Sequence, residues 1–248
     1  MRSFGKIIDL IIVFIAIEFI PRLSVFLANL LNPVIQSFDK DGVFLWISVH
    51  HIFQLILTIG IMKFYFKSRL RDWGFNLDNR QKAIKIVGWF ILIFSVIQII
   101  GSVILFINRE STEPYFGYLL TSKNILGYYS FEAFLSGTCE EPLFRGFAIL
   151  VLAQSWKGRF RIGKIDFTIA GILAAILFTY AHISYSIFPF KILHLSPPQL
   201  LTAFGVGLFY SIVFQKTKSL LIPILLHNVS NIIVITIPYI FLLLQKAT

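Results

Sequence analysis

The sequence predicts an all-α, polytopic transmembrane bundle of about seven helices around an intramembrane polar cavity. Three observations predict it. Of the 248 residues, 57% are hydrophobic and 14% charged, with a mean hydropathy of +0.81, whereas a soluble domain is about a quarter charged. Apolar runs long enough to cross a bilayer recur along the chain, since a hydrocarbon core of about 30 Å takes roughly 20 helical residues. The basic residues fall in the short connections between those runs, as they do in membrane proteins.

The runs cover about 7–31, 43–66, 84–107, 125–153, 166–188, 198–215 and 220–244. The first carries Asp9, Glu18 and Arg22, and no small-residue cleavage site follows it, so it is expected to be a retained helix and not a signal peptide. No internal repeat, low-complexity tract or linker interrupts the chain, so residues 1–248 are expected to form a single integral membrane domain. The lone Cys139 excludes an intrachain disulfide framework and a multi-cysteine metal site. The 27 phenylalanines suit a lipid-facing surface.

A net charge of +10 could point to nucleic acid, but the charge forms no continuous basic face, so no nucleic-acid partner is expected. The expected surroundings are a lipid bilayer, most simply a bacterial cell membrane. Fifteen Lys and Arg lie at the N-terminus and in the stretches 63–85, 157–164 and 216–218, against five on the other side: Lys40, Arg109, Lys123, Lys191 and Lys246. That bias predicts a cytoplasmic N-terminus. The stretch 67–82, KSRLRDWGFNLDNRQK, reads equally as an amphipathic helix on the membrane surface or as a solvated loop.

Ionisable groups are rare at mid-bilayer unless paired or functional, which directs attention to three spans. The fourth contains Glu140 and Glu141 in Cys139-Glu140-Glu141-Pro142-Leu143-Phe144-Arg145. Glu141 and Arg145 share a helical face at i, i+4 and can neutralise each other. Glu140 is turned about 100° away, which leaves it free for proton transfer as a general base. In the fifth span Phe178 and His182 share a face, so the ring can fix the imidazole's approach. In the seventh, His227 and Asn231 stand side by side as two donors, the arrangement an oxyanion hole requires. Glu132 lies two turns before Glu140 and reads as a satisfied buried carboxyl or an entrance residue; His50 and His51 point to different faces and receive no role.

Other hydrolytic chemistries fit less well. There is no HExxH string for a zinc peptidase. Ser136-Gly137 lacks the glycine-flanked turn of a serine nucleophile. Every aspartate lies at a span end or in a connection, which disfavours an aspartyl pair. Glutamate with histidine is what is left. A non-catalytic immunity or scaffold protein, and a small transporter relaying protons through Glu140 and the histidines, stay open as readings of the same residues.

EEPLFR at 140–145, FTYAH at 178–182 and HNVSN at 227–231 resemble the EExxxR, FxxxH and HxxxN motifs of the CPBP family (CAAX proteases and bacteriocin-processing enzymes, also called Abi or type II CAAX prenyl endopeptidases). The resemblance covers a core of about 125–240. It implies helices around a cavity and proteolysis near the C-terminus of a peptide or protein substrate. By that resemblance Glu140 and His182 activate water, His227 and Asn231 stabilise the oxyanion, and Glu141, Arg145 and Phe178 support the site. The family's names include metalloprotease, and a zinc or other divalent ion could be drawn on Glu140, His182 and His227. A metal-free route, with no cofactor, is favoured because Asn231 beside His227 suits oxyanion binding better than ligation. Ideal straight spans would spread Glu140, His182 and His227 by about 10 Å in depth, so a tilted or broken helix is expected.

Overall fold

The computed structural model describes residues 2–108, 110 and 116–247, and there the chain is a helical bundle with two small hairpins. In order come α1 (Arg2–Leu30), α2 (Asn32–Phe38), α3 (Leu45–Phe66) and α4 (Arg80–Ile107). A helical line of three pieces follows, α5 (Ser122–Phe134), α6 (Ser136–Glu141) and α7 (Ile149–Ser155), with a π-helical segment over Pro142–Ala148. The hairpin β1–β2 (Arg159–Ile162, Ile165–Thr168) leads to α8 (Ile169–Tyr180). A second hairpin, β3–β4 (Ser184–Ser186, Lys191–His194), precedes α9 (Pro197–Thr217) and α10 (Leu221–Ala247).

Five of these helices, α1, α3, α4, α9 and α10, are long and apolar enough to cross a membrane, and they match five of the seven expected spans within a few residues. The other two differ. The fourth span is broken at Leu135 and widened at Pro142–Ala148, where Pro142 has no N–H to return to the preceding turn. The fifth is only twelve residues of helix, because 165–168 and 184–186 are strand. Thr168 accepts the Gly171 N–H and so starts α8 inside the run read as a single span.

The short fifth helix closes the gap in depth. At 1.5 Å per residue α8 is about 18 Å long, so His182, just past its end, falls at mid-depth and not at the far surface.

Side-chain contacts show which connections share an end. At one end Trp156 donates to the Lys6 carbonyl, and Asn76 and Asn79 donate to the carbonyls of Lys218 and Thr217. The stretch 67–82 is neither a surface helix nor a plain loop. It forms a short 3-10 turn at Leu70–Trp73, whose Trp73 is buried against Phe66, and Gly74 accepts the Leu220 N–H. At the opposite end Trp46 donates to Asn29, Lys123 to the Phe38 carbonyl and Asn124 to Asp41. Arg109, counted with that end, lies outside the described residues.

The core is apolar and formed where α1, α3, α7, α8 and α9 meet the π-helical segment, with Val13, Met62, Leu143, Phe147, Leu152 and Ala174 among its buried side chains. The face of α4 turned away from the bundle, with Trp89, Leu92, Ile93, Ile97 and Ile100 exposed, is the surface a bilayer would cover.

Asp39 ties the α2–α3 connection to α3, its carboxylate accepting the N–H groups of Phe44 and Leu45 at 2.8 and 2.9 Å. Burial alone would raise its pKa. The N–H groups of Leu45, Phe44 and Val43 and the Lys123 ammonium outweigh that and hold it below its ordinary 3.8. A lowered carboxylate pKa gives stability that is present above the unfolded value and lost as pH falls through the folded one. Asp39→Ala is therefore expected to lower stability by about 1 kcal/mol at neutral pH. Thermal unfolding in detergent should show this difference from wild type shrinking below pH 3.8.

Candidate active site

The second half of the chain brings its polar motifs together around the break in the α5–α7 line. Glu140 and Glu141 close α6, and Arg145 stands one turn on, inside the π-helical segment. Such segments appear often at functional sites, because an extra residue in the turn redirects the side chains around it.

Glu141 and Arg145 pair as their spacing predicts, with Nη1 donating to Oε1 at 3.0 Å, and both are fully buried. The same carboxylate oxygen accepts from His227 Nδ1 at 2.7 Å. Arg145 also donates through Nη2 to the Gly207 carbonyl at 3.1 Å and lies over the Phe178 ring, 4.3 Å from its centroid. One ion pair thus joins α6, the π-helical segment, α8, α9 and α10. Gly207 leaves room for it: a Cβ there would meet Phe178 at 2.9 Å and Arg145 Nη2 at 3.2 Å.

Helix α10 approaches α6 closely through Gly137, where a Cβ would meet His227 Cβ at 2.6 Å and Asn228 Oδ1 at 2.7 Å. The Asn228 side-chain Oδ1 accepts the Gly137 N–H at 2.7 Å. In sequence, Ser136-Gly137 invites reading as a nucleophile turn; its glycine lets two helices touch.

Glu140 faces α3. Its Oε1 lies 3.2 Å from His51 Nε2, a contact the sequence does not reveal. His51 Nδ1 is 2.8 Å from the Ile47 carbonyl, which can only accept, so Nδ1 carries a hydrogen. The Glu140–His51 contact then joins two atoms that can bond only with a proton between them. One turn along, Gln54 donates to the Cys139 carbonyl at 3.4 Å. His50 stacks on Trp46 and edges onto His51.

His182 Nδ1 lies 2.8 Å from the Phe178 carbonyl, which by the same argument fixes the hydrogen on Nδ1 and leaves Nε2 with the lone pair in the neutral ring. The Phe178 ring packs edge-on to both His182 and His227, with centroids 4.8 and 6.0 Å away. It is the shared wall between the two imidazoles.

Glu132, Ser136, Glu140, His182, His227 and Asn231 all line one cavity of about 760 Å³. Asn231 Nδ2 donates to Glu132 Oε2 at 2.7 Å and to Ser136 Oγ at 3.0 Å, so both amide hydrogens are engaged. Glu132 is therefore at once a satisfied buried carboxyl and a lining residue. Among the described residues, no group of three or more His, Cys, Asp or Glu is arranged to hold a metal ion.

Of the residues named from sequence, Glu140, His182, His227 and Asn231 share the cavity, while Glu141, Arg145 and Phe178 lie around it. The sequence reading missed His51, Gln54 and Asn228. Adjacent histidines in an apolar helix were the available signal, but which helix would pack against Glu140 is not written locally.

Removing one partner of a buried ion pair typically costs about 3–5 kcal/mol. Arg145→Ala strands Glu141 and loosens His227, so a loss of this size is expected in thermal unfolding. Arg145→Lys should not restore it, because Lys cannot bond Glu141 and the Gly207 carbonyl with one planar fork.

No curated protein and no solved structure matches the chain. Residues 121–233 match the family model described as type II CAAX prenyl endopeptidase Rce1-like. All three motifs lie inside this segment, which is somewhat less than half the chain. The match bears out the family resemblance read from the motifs, and the five candidate spans are those of an integral membrane protein.

Proposed function

We propose that the protein is an intramembrane endopeptidase that hydrolyses a peptide bond near the C-terminus of its substrate with water activated by Glu140 and His182. The observation that carries this reading is convergence. Glu140, His182, His227 and Asn231 come from separate stretches of the chain and line one cavity able to hold water and an extended peptide segment.

In the proposed reaction a water molecule hydrogen-bonds Glu140 and the lone pair of His182 Nε2. Glu140 takes one water proton as the oxygen attacks the carbonyl carbon. The resulting oxyanion is held by His227 and Asn231. Glu140 then returns the proton to the leaving nitrogen as the C–N bond breaks, giving a new amine and a new carboxylic acid, which releases its remaining water-derived proton to solvent. His51 acts through Glu140 and not on substrate: the proton between them orients the carboxylate and leaves its second oxygen for water.

The donor assignments follow from the bonds already made. His227 gives its Nδ1 hydrogen to Glu141, so its Nε2 faces the cavity and donates to an oxyanion as the imidazolium. Asn231 must redirect one amide hydrogen. Its bond to neutral Ser136 is weaker than a charge-assisted bond to Glu132, so the hydrogen on Ser136 is the one that turns to substrate.

The route needs no metal, since Glu140 itself supplies the base. Dialysis of the purified protein against a strong zinc chelator should leave cleavage unchanged; loss of activity that zinc restores would overturn this part.

Glu140→Gln should abolish turnover without lowering the unfolding temperature, and Asn231→Ala should lower kcat by about 10²–10³-fold, as for other oxyanion donors. Mass spectrometry of C-terminal peptides from wild-type and Glu140→Gln membranes reads the first. Equal cleavage by the two would sink the mechanism and return the protein to the scaffold class.

A further inference from the structure

The two ends of the bundle differ sharply in charge. The end where α1 begins, and where α3, α7 and α9 finish, gathers Lys6, Lys63, Lys67, Lys157, Lys216 and Lys218. Hydrogen bonds between its separate connections show that they form one face. With the remaining residues of those connections and helix ends, this face takes fifteen of the chain's 22 Lys and Arg, whereas among the described residues Lys40, Lys123, Lys191 and Lys246 lie towards the opposite end. Short loops enriched in Lys and Arg stay on the cytoplasmic side.

The polar cavity belongs to the other end. Of its lining residues, those in connections are His182 just past α8, Asp41, Gly42 and Val43 between α2 and α3, and 116–119 before α5, and all but His182 belong to the end away from the basic face. Gln199 joins them from the first turn of α9, at that same end. No lining residue comes from 67–79, 156–168 or 218–220, the connections of the basic face.

Towards the basic face the site is closed. Glu141, Arg145, Leu143 and Leu226 are fully buried, and Phe144 and Phe147 nearly so. The ion pair with its aromatic collar therefore forms a floor under Glu140 and His227, while the sparsely charged end forms the mouth.

We infer that the cavity is entered from the face of the membrane away from the cytoplasm, so that its substrates are peptide or protein tails already delivered across the bilayer. This rests on the proposed peptidase activity for its substrate, and on geometry and charge alone for its direction. The mouth suits tails that are not strongly acidic, because Asp41 and Glu132 line the cavity together with Glu140 and, among the described residues, no Lys or Arg does. Its apolar walls, Phe116, Leu119, Val234 and Ile235, suit hydrophobic side chains next to the cleaved bond.

The test uses the full chain in intact bacterial cells and a membrane-impermeant maleimide. Leu119→Cys marks the mouth and Leu77→Cys the basic face; both positions are exposed, and the native Cys139 is buried. Leu119→Cys is expected to label in intact cells, and Leu77→Cys only after lysis. A Leu119→Cys protein that stays unlabelled until lysis overturns the inference. A second arm adds a charged, bilayer-impermeant fluorogenic peptide with a CAAX-type C-terminus to right-side-out and inverted vesicles. Cleavage by right-side-out vesicles alone supports entry from outside. Cleavage by inverted vesicles alone overturns it and leaves the peptidase reading standing. If neither preparation cleaves the peptide, the peptidase reading loses its support, and the labelling, which needs no hydrolysis, decides the direction.

Discussion

The contact on which the site depends is a single buried carboxylate oxygen, Glu141 Oε1, shared between Arg145 and His227. A charge in a bilayer interior is tolerable only when it is matched, and here the match extends over five elements. Arg145 reaches the Gly207 carbonyl and lies on Phe178, and Phe178 in turn walls both imidazoles. The pairing favours specificity more than stability, since a buried ion pair seldom outweighs an apolar substitute of similar volume. What it supplies is position: His227 can bond Glu141 in only one rotation of α10 against α6. Gly137 and Gly207 make that rotation possible by letting the neighbouring side chains approach.

Around this anchor the two adjacent glutamates occupy different environments. Glu141 is sealed from the cavity, whereas Glu140 borders it and touches His51. The difference arises from the helical step of about 100° between neighbours and from α3, which presents His51 and Gln54 one turn apart to the end of α6. Helix α3 lies outside the segment that matches the family model, so a histidine beyond that segment completes the surroundings of Glu140.

Much of this was legible in the sequence, for physical reasons. Hydropathy fixed five spans because a long lipid-facing helix must be apolar along its length, as α4 is. The Glu141–Arg145 tie was legible because i, i+4 spacing is local geometry. The twelve-residue α8 was not, since Ile165 and Phe167 before it and Ile183, Tyr185, Ile187 and Phe188 after it extend the hydrophobic run through both strands. His51 was visible as a residue but not as a partner, because its contact with Glu140 spans 89 positions. The spacing of Asn231 from His227 is local and legible, but its bonds to Glu132 and Ser136 depend on how α10 docks against α5 and α6.

The brevity of α8 has a mechanical consequence. A helix of about 18 Å in a hydrocarbon layer of about 30 Å leaves a deficit of roughly 12 Å. Ile176 is exposed on α8 but most of that helix is covered by its neighbours, whereas Phe188, Phe190, Ile192 and Leu193 of the β3–β4 hairpin are exposed, so the hairpin is the part suited to sink into the layer and fill the deficit. An extended chain advances about 3.3 Å per residue, so about four residues of strand span it. The wall of the cavity beside His182 is thus completed by strand and not by helix.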